Sequence, residues 1–321
     1  MRTITLAITL TTWLGLSTKM AVAQEPAYAP GTGPSVLIDA AHHNALTAFA
    51  GHRASIAKWL QGDGYVVREL LHGRFDREAL DGVQIAIISN AKSEQNAYRF
   101  YPPTEAELAE VWRLPTPSAF SQEEIAFLHE WVVMGGALLL VFDHMPLPGA
   151  AEELAAAFGI DISNGFAVDG RSLQGFDGPS VAQAARMVFR RVDGTLAEHP
   201  VTNGRGLAER VDSVALYVGS AFRLPPEGRS LLTLGSLFVS LLPDVAWEFS
   251  EATPRQNIGG WSQGGVLRVG RGRLAVFGET GILVTPDMVA NPAKAGRNPQ
   301  LQNPQLLLNV LHWLSGLLDE R

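Results

Sequence analysis

Residues 135–151, "GGALLLVFDHMPLPGAA", carry the clearest indication of the fold class. An apolar run from Ala137 to Phe142 follows a double glycine and predicts a buried β-strand. The run stops at Asp143 and His144, and two prolines follow within four residues. In an open parallel sheet, ligands settle outside the carboxyl ends of the strands. A carboxylate and an imidazole at this position therefore indicate a binding or catalytic edge.

Strands and helices alternate on both sides of this stretch. Apolar runs predict strands that end at Asp39, at Asn90 and, within "GRLAVFGETG", at Glu279. The segment "FSQEEIAFLHEWVVMGG" predicts a helix with a capping box formed by Ser121 and Glu124. Such alternation predicts an α/β fold with a mostly parallel sheet flanked by helices.

The first residues of the chain differ from the rest. A short basic start, an apolar segment "ITLAITLTTWLGLS" and an Ala21-Val22-Ala23 cleavage pattern predict a secretory signal peptide over residues 1–23. A membrane anchor is the alternative, but the apolar run is shorter than the roughly 20 residues that a bilayer requires. We expect a periplasmic or secreted protein without stable membrane insertion once the signal is removed.

Composition excludes several classes of protein. The formal net charge is -7, and removal of Arg2 and Lys19 with the signal would make it -9. An acidic chain is a poor partner for nucleic acid, so we expect none. The chain has no cysteine, which excludes disulfides, thiol nucleophiles and thiolate metal sites.

Residues 24–321 are predicted to form one α/β domain with a small β-rich insertion at about residues 163–260. This insertion contains short apolar runs, many glycines and turn sequences such as "PPEG". The α/β pattern returns at residues 272–281 and closes with an apolar helix in "NPQLLLNVLHWLSGLL".

The polar residues that follow the predicted strands form one candidate site, because the carboxyl ends of parallel strands meet at one edge. We assign Asp143 and His144 as an acid-base or metal-binding pair and Glu279 as a base or orienting carboxylate. The predicted substrate-binding residues are Asp39, His42, His43, Asn44 and Asn90. As alternatives, Asp39 or Asn44 caps a helix, and His144 is a loop histidine bonded to a backbone carbonyl.

Three kinds of chemistry are compatible with these residue types. Imidazole and carboxylate groups suit a divalent metal, although the chain has no metal-type spacing such as H-E-x-x-H. An Asp-His pair without metal suits general acid-base catalysis. Asp, Asn, His and Trp also suit plain recognition of a polar small molecule or glycan.

Several stretches together carry a family resemblance: "VLIDAAHHN", "GGALLLVFDHMPLPGAAEELAAAFGI", "HPVTNG", "GRLAVFGETG" and "NPQLLLNVLHWLSGLL". They resemble a family of secreted bacterial proteins of unknown function with a class I glutamine amidotransferase-like, flavodoxin-like domain. Related domains include trehalose-utilisation-type proteins and a gliding-motility and intraflagellar-transport domain associated with sugar binding. The resemblance implies the fold. It does not imply glutaminase activity, because the nucleophilic cysteine is absent, and Thr280-Gly281 replaces the Ala-Met of relatives.

The resulting functional prediction is an exported hydrolase-like protein that acts on a polar, carbohydrate-derived substrate. A non-catalytic sugar- or glycan-binding module of the cell envelope is the main alternative. A protein interface formed by the same loops is the third.

Overall fold

The computed structural model of the chain describes residues 25–43, 50–96, 112–286 and 302–319. The predicted signal peptide, residues 1–23, and Asn44 lie outside these ranges. None of the helices in these ranges combines the length and the apolar composition that a bilayer span requires. The predicted fold class is confirmed: a mostly parallel central sheet is flanked by helices.

The strands and helices are numbered in chain order. The strands are β1 Ser35–Asp39, β2 Val66–Leu70, β3 Ile85–Ser89, β4 Ala137–Val141, β5 Asp161–Ser163, β6 Phe166–Asp169, β7 Arg186–Arg190, β8 Ser213–Tyr217, β9 Ala221–Arg223, β10 Arg229–Thr233, β11 Phe238–Leu241, β12 Arg255–Asn257, β13 Ser262–Val269 and β14 Gly272–Phe277. The α-helices are α1 Ala50–Gly62, α2 Gln122–Val133, α3 Leu147–Ala157, α4 Gly178–Ala184, α5 Pro200–Asn203 and α6 Asn303–Leu314. Short 3₁₀ helices occupy Glu94–Asn96 and Thr280–Leu283.

The central sheet has the strand order β2-β1-β3-β4-β14-β13-β9-β5, and β10 also pairs with β13. The strands from β2 to β14 in this order are parallel. The sheet then continues with antiparallel pairs through β13, β9 and β5. The carboxyl ends of β1, β3, β4 and β14 therefore share one edge, which we call the carboxyl edge.

Each face of the sheet is covered, which explains the continuous apolar runs of its central strands. Alternate residues of β4 face opposite sides: Leu139 and Val141 belong to one core, and Leu138 and Leu140 to the other. Helices α1 and α6 cover the face of Leu139, and helices α2 and α3 cover the face of Leu138. We name these the α1/α6 face and the α2/α3 face.

The segment predicted to be β-rich carries β6 to β12, but these strands do not form one compact unit. Strands β6, β11 and β12 form a three-stranded sheet, and β7 pairs with β8. Strands β9 and β10 instead join the central sheet. Residues from this segment therefore reach the carboxyl edge, where Ser220 N–H donates to the carbonyl of Gly278 at 2.8 Å.

We expect Leu139→Ala to lower the free energy of unfolding by about 2–5 kcal/mol, because Leu139 is fully buried between β3 and β14 and truncation leaves a cavity. Urea denaturation followed by circular dichroism measures this change. Leu207→Ala is the matched control: Leu207 is 89% exposed, and we expect a change within about 0.5 kcal/mol. Equal effects of the two variants would contradict this placement of the core.

Candidate functional site

Strand register brings the predicted site residues to the carboxyl edge. Val141 of β4 lies opposite Phe277 of β14, so Asp143 and Glu279 each follow this pair by two residues. Ser89 of β3 also lies opposite Val141, which places Asn90 beside the end of β4. Asp39 ends β1, the strand on the other side of β3.

The alternation of side chains divides these residues between the two faces of the sheet. Asp39 is in phase with Leu37, which belongs to the α2/α3 core. Asp143 is in phase with Val141, and Glu279 with Phe277, both of which belong to the α1/α6 core. The site expected at one edge is therefore made of two groups of residues.

The first group is the Asp39–His42–Glu124 cluster. Nδ1 of His42 lies 3.0 Å from Oδ1 of Asp39, and Nε2 lies 3.2 Å from Oε1 of Glu124. Glu124 also completes the predicted capping box with Ser121 and accepts the backbone N–H of Phe75 at 3.0 Å. One buried imidazole thus connects the loop after β1, the loop after β2 and the start of α2.

His42 in this cluster is an imidazolium at neutral pH. Burial lowers its pKa, but the hydrogen bonds and charges of Asp39 and Glu124 outweigh burial and raise the pKa to about 9. The pKa of Glu124 is lowered, because hydrogen bonds from His42, Ser121 and Phe75 outweigh its own burial. Both ring nitrogens of His42 then donate hydrogen bonds, so this ring has no lone pair for a metal or a proton.

Aromatic rings enclose the same imidazole. The Phe75 ring stacks on His42 at a centroid distance of 5.5 Å, and Phe120 lies at 4.8 Å. His42 is 8% exposed and Asp39 is fully buried. Both ring nitrogens of His42 and Oδ1 of Asp39 have hydrogen-bond partners within the protein, and the predicted role of the two residues in substrate binding stays a prediction.

His43, the next residue, has a different environment. It is exposed, and its φ of 45° is in the left-handed region, where asparagine, aspartate and histidine occur more often than most side chains.

Lys92, on the loop after β3, is buried, and its backbone N–H donates to the carbonyl of His42 at 2.9 Å. Burial lowers the pKa of the Lys92 ammonium to about 8.

The second group surrounds Asp143. Its carboxylate accepts the hydroxyl of Thr280 at 2.9 Å and the backbone N–H of His144 at 3.0 Å. The side-chain amide of Asn90 lies within hydrogen-bonding reach of the same carboxyl. Desolvation raises the pKa of Asp143, while the charge of His144 and these hydrogen bonds act in the opposite direction. Three neighbouring strand ends, those of β3, β4 and β14, therefore meet at one carboxyl group.

The side chain of His144 does not join the group around Asp143 but packs among aromatic rings. Its Nδ1 donates to the carbonyl of Met145 at 2.8 Å, as the alternative of a carbonyl-bonded loop histidine predicts. Its ring stacks on Phe166 at 4.5 Å and lies edge-on to Trp247 at 4.9 Å and to Trp112 at 5.8 Å. We call these rings, with Phe249 beside Phe166 at 5.0 Å, the His144 aromatic cluster.

Glu279 has a local structural contact of its own. It is 3% exposed, and its Oε2 accepts the backbone N–H of Gly281 at 2.7 Å, at the start of the 3₁₀ helix. A Cβ on Gly219 would lie 2.7 Å from the Cβ of Glu279 and 2.1 Å from the carbonyl of Gly278. Only glycine fits at position 219, so the β8–β9 turn is held against the end of β14.

Within the described ranges, no three His, Asp or Glu side chains are grouped as a metal site requires. Of the three histidines of the predicted site, His42 and His144 use ring nitrogens for hydrogen bonds within the protein. This donor set does not fit the divalent metal that the sequence made possible, so no step is assigned to one.

Sequence reasoning missed the aromatic members of the site and the role of Glu124. Phe166, Trp247 and Phe249 lie in the β-rich segment, and Trp112 precedes α2. None of them belongs to a periodic pattern. The only sequence signal was the presence of several aromatic residues in a segment rich in turn residues. Glu124 was found as a capping residue, but its bond to His42 spans 82 positions in the chain and has no local signal.

Fold and edge together define an α/β domain with an open sheet and a polar, aromatic-lined carboxyl edge. No protein-family model matches the chain, and no curated protein is similar to it in sequence. Among solved structures, the mmIFT52 N-terminal domain is similar over 87% of this chain and 97% of its own, with 13% identity and a TM-score of 0.54. This likeness shows a shared fold.

Two further solved structures are similar at lower TM-scores. A Salmonella typhimurium cytoplasmic protein, STM3548, covers 88% of this chain and 98% of its own, with 12% identity and a TM-score of 0.46. A ThuA-like protein from Parabacteroides merdae covers 88% of this chain and 89% of its own, with 14% identity and a TM-score of 0.39.

We expect the protonated His42 to stabilise the protein below its unfolded pKa of about 6.5 and this contribution to vanish as the pH rises through about 9. The free energy of unfolding should therefore differ between the wild type and His42→Gln by up to about 3 kcal/mol near pH 6.5. Above pH 9 the two proteins should converge toward the difference left by packing alone. Urea denaturation across pH 6 to 10 measures the difference.

Lys92 also titrates in this pH range, and its effect on the free energy of unfolding has the opposite sign. Comparing the variant with the wild type removes this effect. The lowered pKa of Lys92 makes the folded state gain stability as the pH rises above about 8, and this contribution is present in both proteins. A difference between wild type and variant that does not change with pH would show that His42 is not held as an imidazolium.

Proposed function

We propose that the protein binds a polar, carbohydrate-like ligand at the carboxyl edge, between the His144 aromatic cluster and the Asp143 carboxylate. The observation that carries the proposal is the position of two partly exposed tryptophans. Trp112 and Trp247 both lie against the ring of His144, the residue that follows Asp143. Binding sites of this kind combine aromatic walls with a few placed polar groups.

The polar side of the site suits ligand hydroxyl groups. Asp143 supplies acceptor oxygens, and Thr280 and Asn90 hold its carboxyl in place from neighbouring strands. With Nδ1 of His144 donating to Met145, a neutral ring has its lone pair on Nε2, which accepts a further hydrogen bond. A ligand would thus meet mostly acceptors, which match hydroxyl donors.

The aromatic side suits the apolar face of a sugar ring. Indole and phenyl rings offer large flat contact areas with little loss of conformational entropy on binding. The cluster also holds His144 rigidly, because Phe166 is fully buried beneath its ring and Trp247 meets its edge. A rigid surface of this kind lowers the entropic cost of binding.

The sequence also suggests where in the cell such a ligand would be met. A predicted signal peptide indicates export, so glycans of the cell envelope would be the accessible ligands. In the same proposal, the chain is a member of the secreted bacterial family with an amidotransferase-like domain that its motifs resemble.

Hydrolysis of the bound ligand is the second candidate, and one observation favours it. The raised pKa of Asp143 makes this carboxyl a better proton donor near neutral pH than an ordinary aspartate. His144 follows Asp143 directly, and its Nε2 could accept a proton from water. In this candidate Asp143 is the acid and His144 the base, while Glu279 orients the 3₁₀ turn that carries Thr280.

Binding is tested on the purified protein with a panel of oligosaccharides and isothermal titration calorimetry. We expect Trp247→Ala to weaken binding of any recognised oligosaccharide by about tenfold or more, since loss of an aromatic anchor costs on the order of 2 kcal/mol. Trp59→Ala is the control, because Trp59 is a partly buried tryptophan near the end of α1, at the opposite edge of the sheet. Equal losses in the two variants, or no binding across the panel, would refute the proposed ligand class.

Catalysis is tested separately with Asp143→Asn. If the protein only binds, the amide keeps one acceptor oxygen, and affinity should fall modestly while no product forms with either protein. If Asp143 is a general acid, the wild type releases reducing ends and the variant loses about 10²–10⁴-fold of that rate. Turnover that is unchanged in Asp143→Asn would remove Asp143 from any catalytic role.

A further inference from the structure

A cavity of about 750 Å³ lies at the edge of the sheet opposite to the candidate site. It is lined by the last part of β13, which pairs with the start of β14, and by residues at the end of α6. The residues that matter for its chemistry are His199, Glu227, Arg229, Arg268, Trp313 and Asp319. We call it the amino-edge cavity.

The charges around this cavity are not balanced. Asp319 accepts hydrogen bonds from both Arg268, at 2.6 Å, and Arg273, at 2.5 Å, so two guanidinium groups share one carboxylate. Arg229 has no ion pair within the part of the chain that the structure describes. Glu227 is a further carboxylate of the lining. Arg273 is outside the lining, but its ion pair with Asp319 brings a third guanidinium group to the cavity, against the two carboxylates of Asp319 and Glu227.

The third acidic residue of the lining does not change this balance. Glu198 pairs with Arg191 at 2.5 Å, which neutralises it from outside the cavity. The protein as a whole carries a formal charge of -7, so an excess of guanidinium charge at one cavity stands out against the rest of the molecule. A local positive potential of this kind attracts anions.

The pKa of His199 responds to the same positive potential, and a hydrogen bond fixes the tautomer of its ring. Its Nδ1 accepts the backbone N–H of Val201 at 3.1 Å, so in the neutral ring the proton is on Nε2. Burial lowers the pKa of His199 to about 4, and the charges of Arg229 and Arg268 lower it in the same direction. At physiological pH His199 is therefore a neutral donor of one hydrogen bond.

The floor of the cavity is apolar. Trp313 is 3% exposed and meets His199 edge-on at 6.1 Å, while the guanidinium of Arg273 lies 5.3 Å from the centre of its ring. Leu318 and Val266 complete this surface. An apolar floor beneath a cationic rim is the layout of a site for an amphipathic anion.

We propose that the amino-edge cavity binds a small anionic ligand with an apolar part. Its carboxylate, phosphate or sulfate group would be held by Arg229 and by Nε2–H of His199, and its apolar part would contact Trp313 and Leu318. This site is separate from the carboxyl edge and takes ligands of a different charge.

Phenyl phosphate is a suitable probe, because it joins a dianion to a flat apolar ring. NMR of the wild-type protein should show saturable shifts of the His199 imidazole and Trp313 indole signals on addition of phenyl phosphate. Arg229→Gln should weaken the affinity by about tenfold, as expected for a lost charge-assisted hydrogen bond. The bound dianion should also raise the pKa of His199, which its imidazole shifts measure during a pH titration.

Arg223→Gln is the matched control, because Arg223 is an exposed arginine that pairs with Asp161 and lies over Trp261, away from the cavity. It should leave phenyl phosphate binding unchanged, and so should Trp247→Ala. The absence of saturable shifts, or equal affinities in the Arg229→Gln and Arg223→Gln variants, would overturn the proposal. So would shifts that sodium chloride of equal ionic strength reproduces.

Discussion

Parallel pairing of β1, β3, β4 and β14 organises the whole molecule. These strands are buried on both faces, so their polar side chains lie at or next to the strand termini. Parallel direction then brings the ends together, and Asp39, Asn90, Asp143 and Glu279 reach one edge. The same constraint explains why short motifs far apart in the chain belong to one region of the molecule.

Burial of charge explains how the carboxyl edge is organised. Asp39 and Glu124 offset the cost of desolvation for the buried imidazolium of His42. Asp143 differs in that amide, hydroxyl and backbone donors surround it and no arginine or lysine pairs with it within the described ranges. An aspartate held in this way, beside partly exposed indoles, is the part of the edge best suited to a ligand.

The two ends of the sheet have opposite chemical character. Acceptor oxygens and aromatic rings mark the carboxyl edge, whereas guanidinium groups above a tryptophan mark the amino edge. Arg273 connects the amino edge to the core, because it is the second residue of β14 and donates to the carbonyl of Trp313 at 2.5 Å. The α6 helix is thereby fixed against the sheet at the end away from Asp143.

Local patterns were sufficient for the elements of this protein and for the edge at which its polar residues meet. Apolar runs, the capping box of Ser121 and the double glycine before β4 act over a few residues, so they can be read along the chain. The division of Asp39 and Asp143 between two faces, the bond from His42 to Glu124 and the rings around His144 could not be read in this way. They depend on strand phase and on contacts across many tens of residues, and such contacts exist only after the sheet has assembled and its helices have packed.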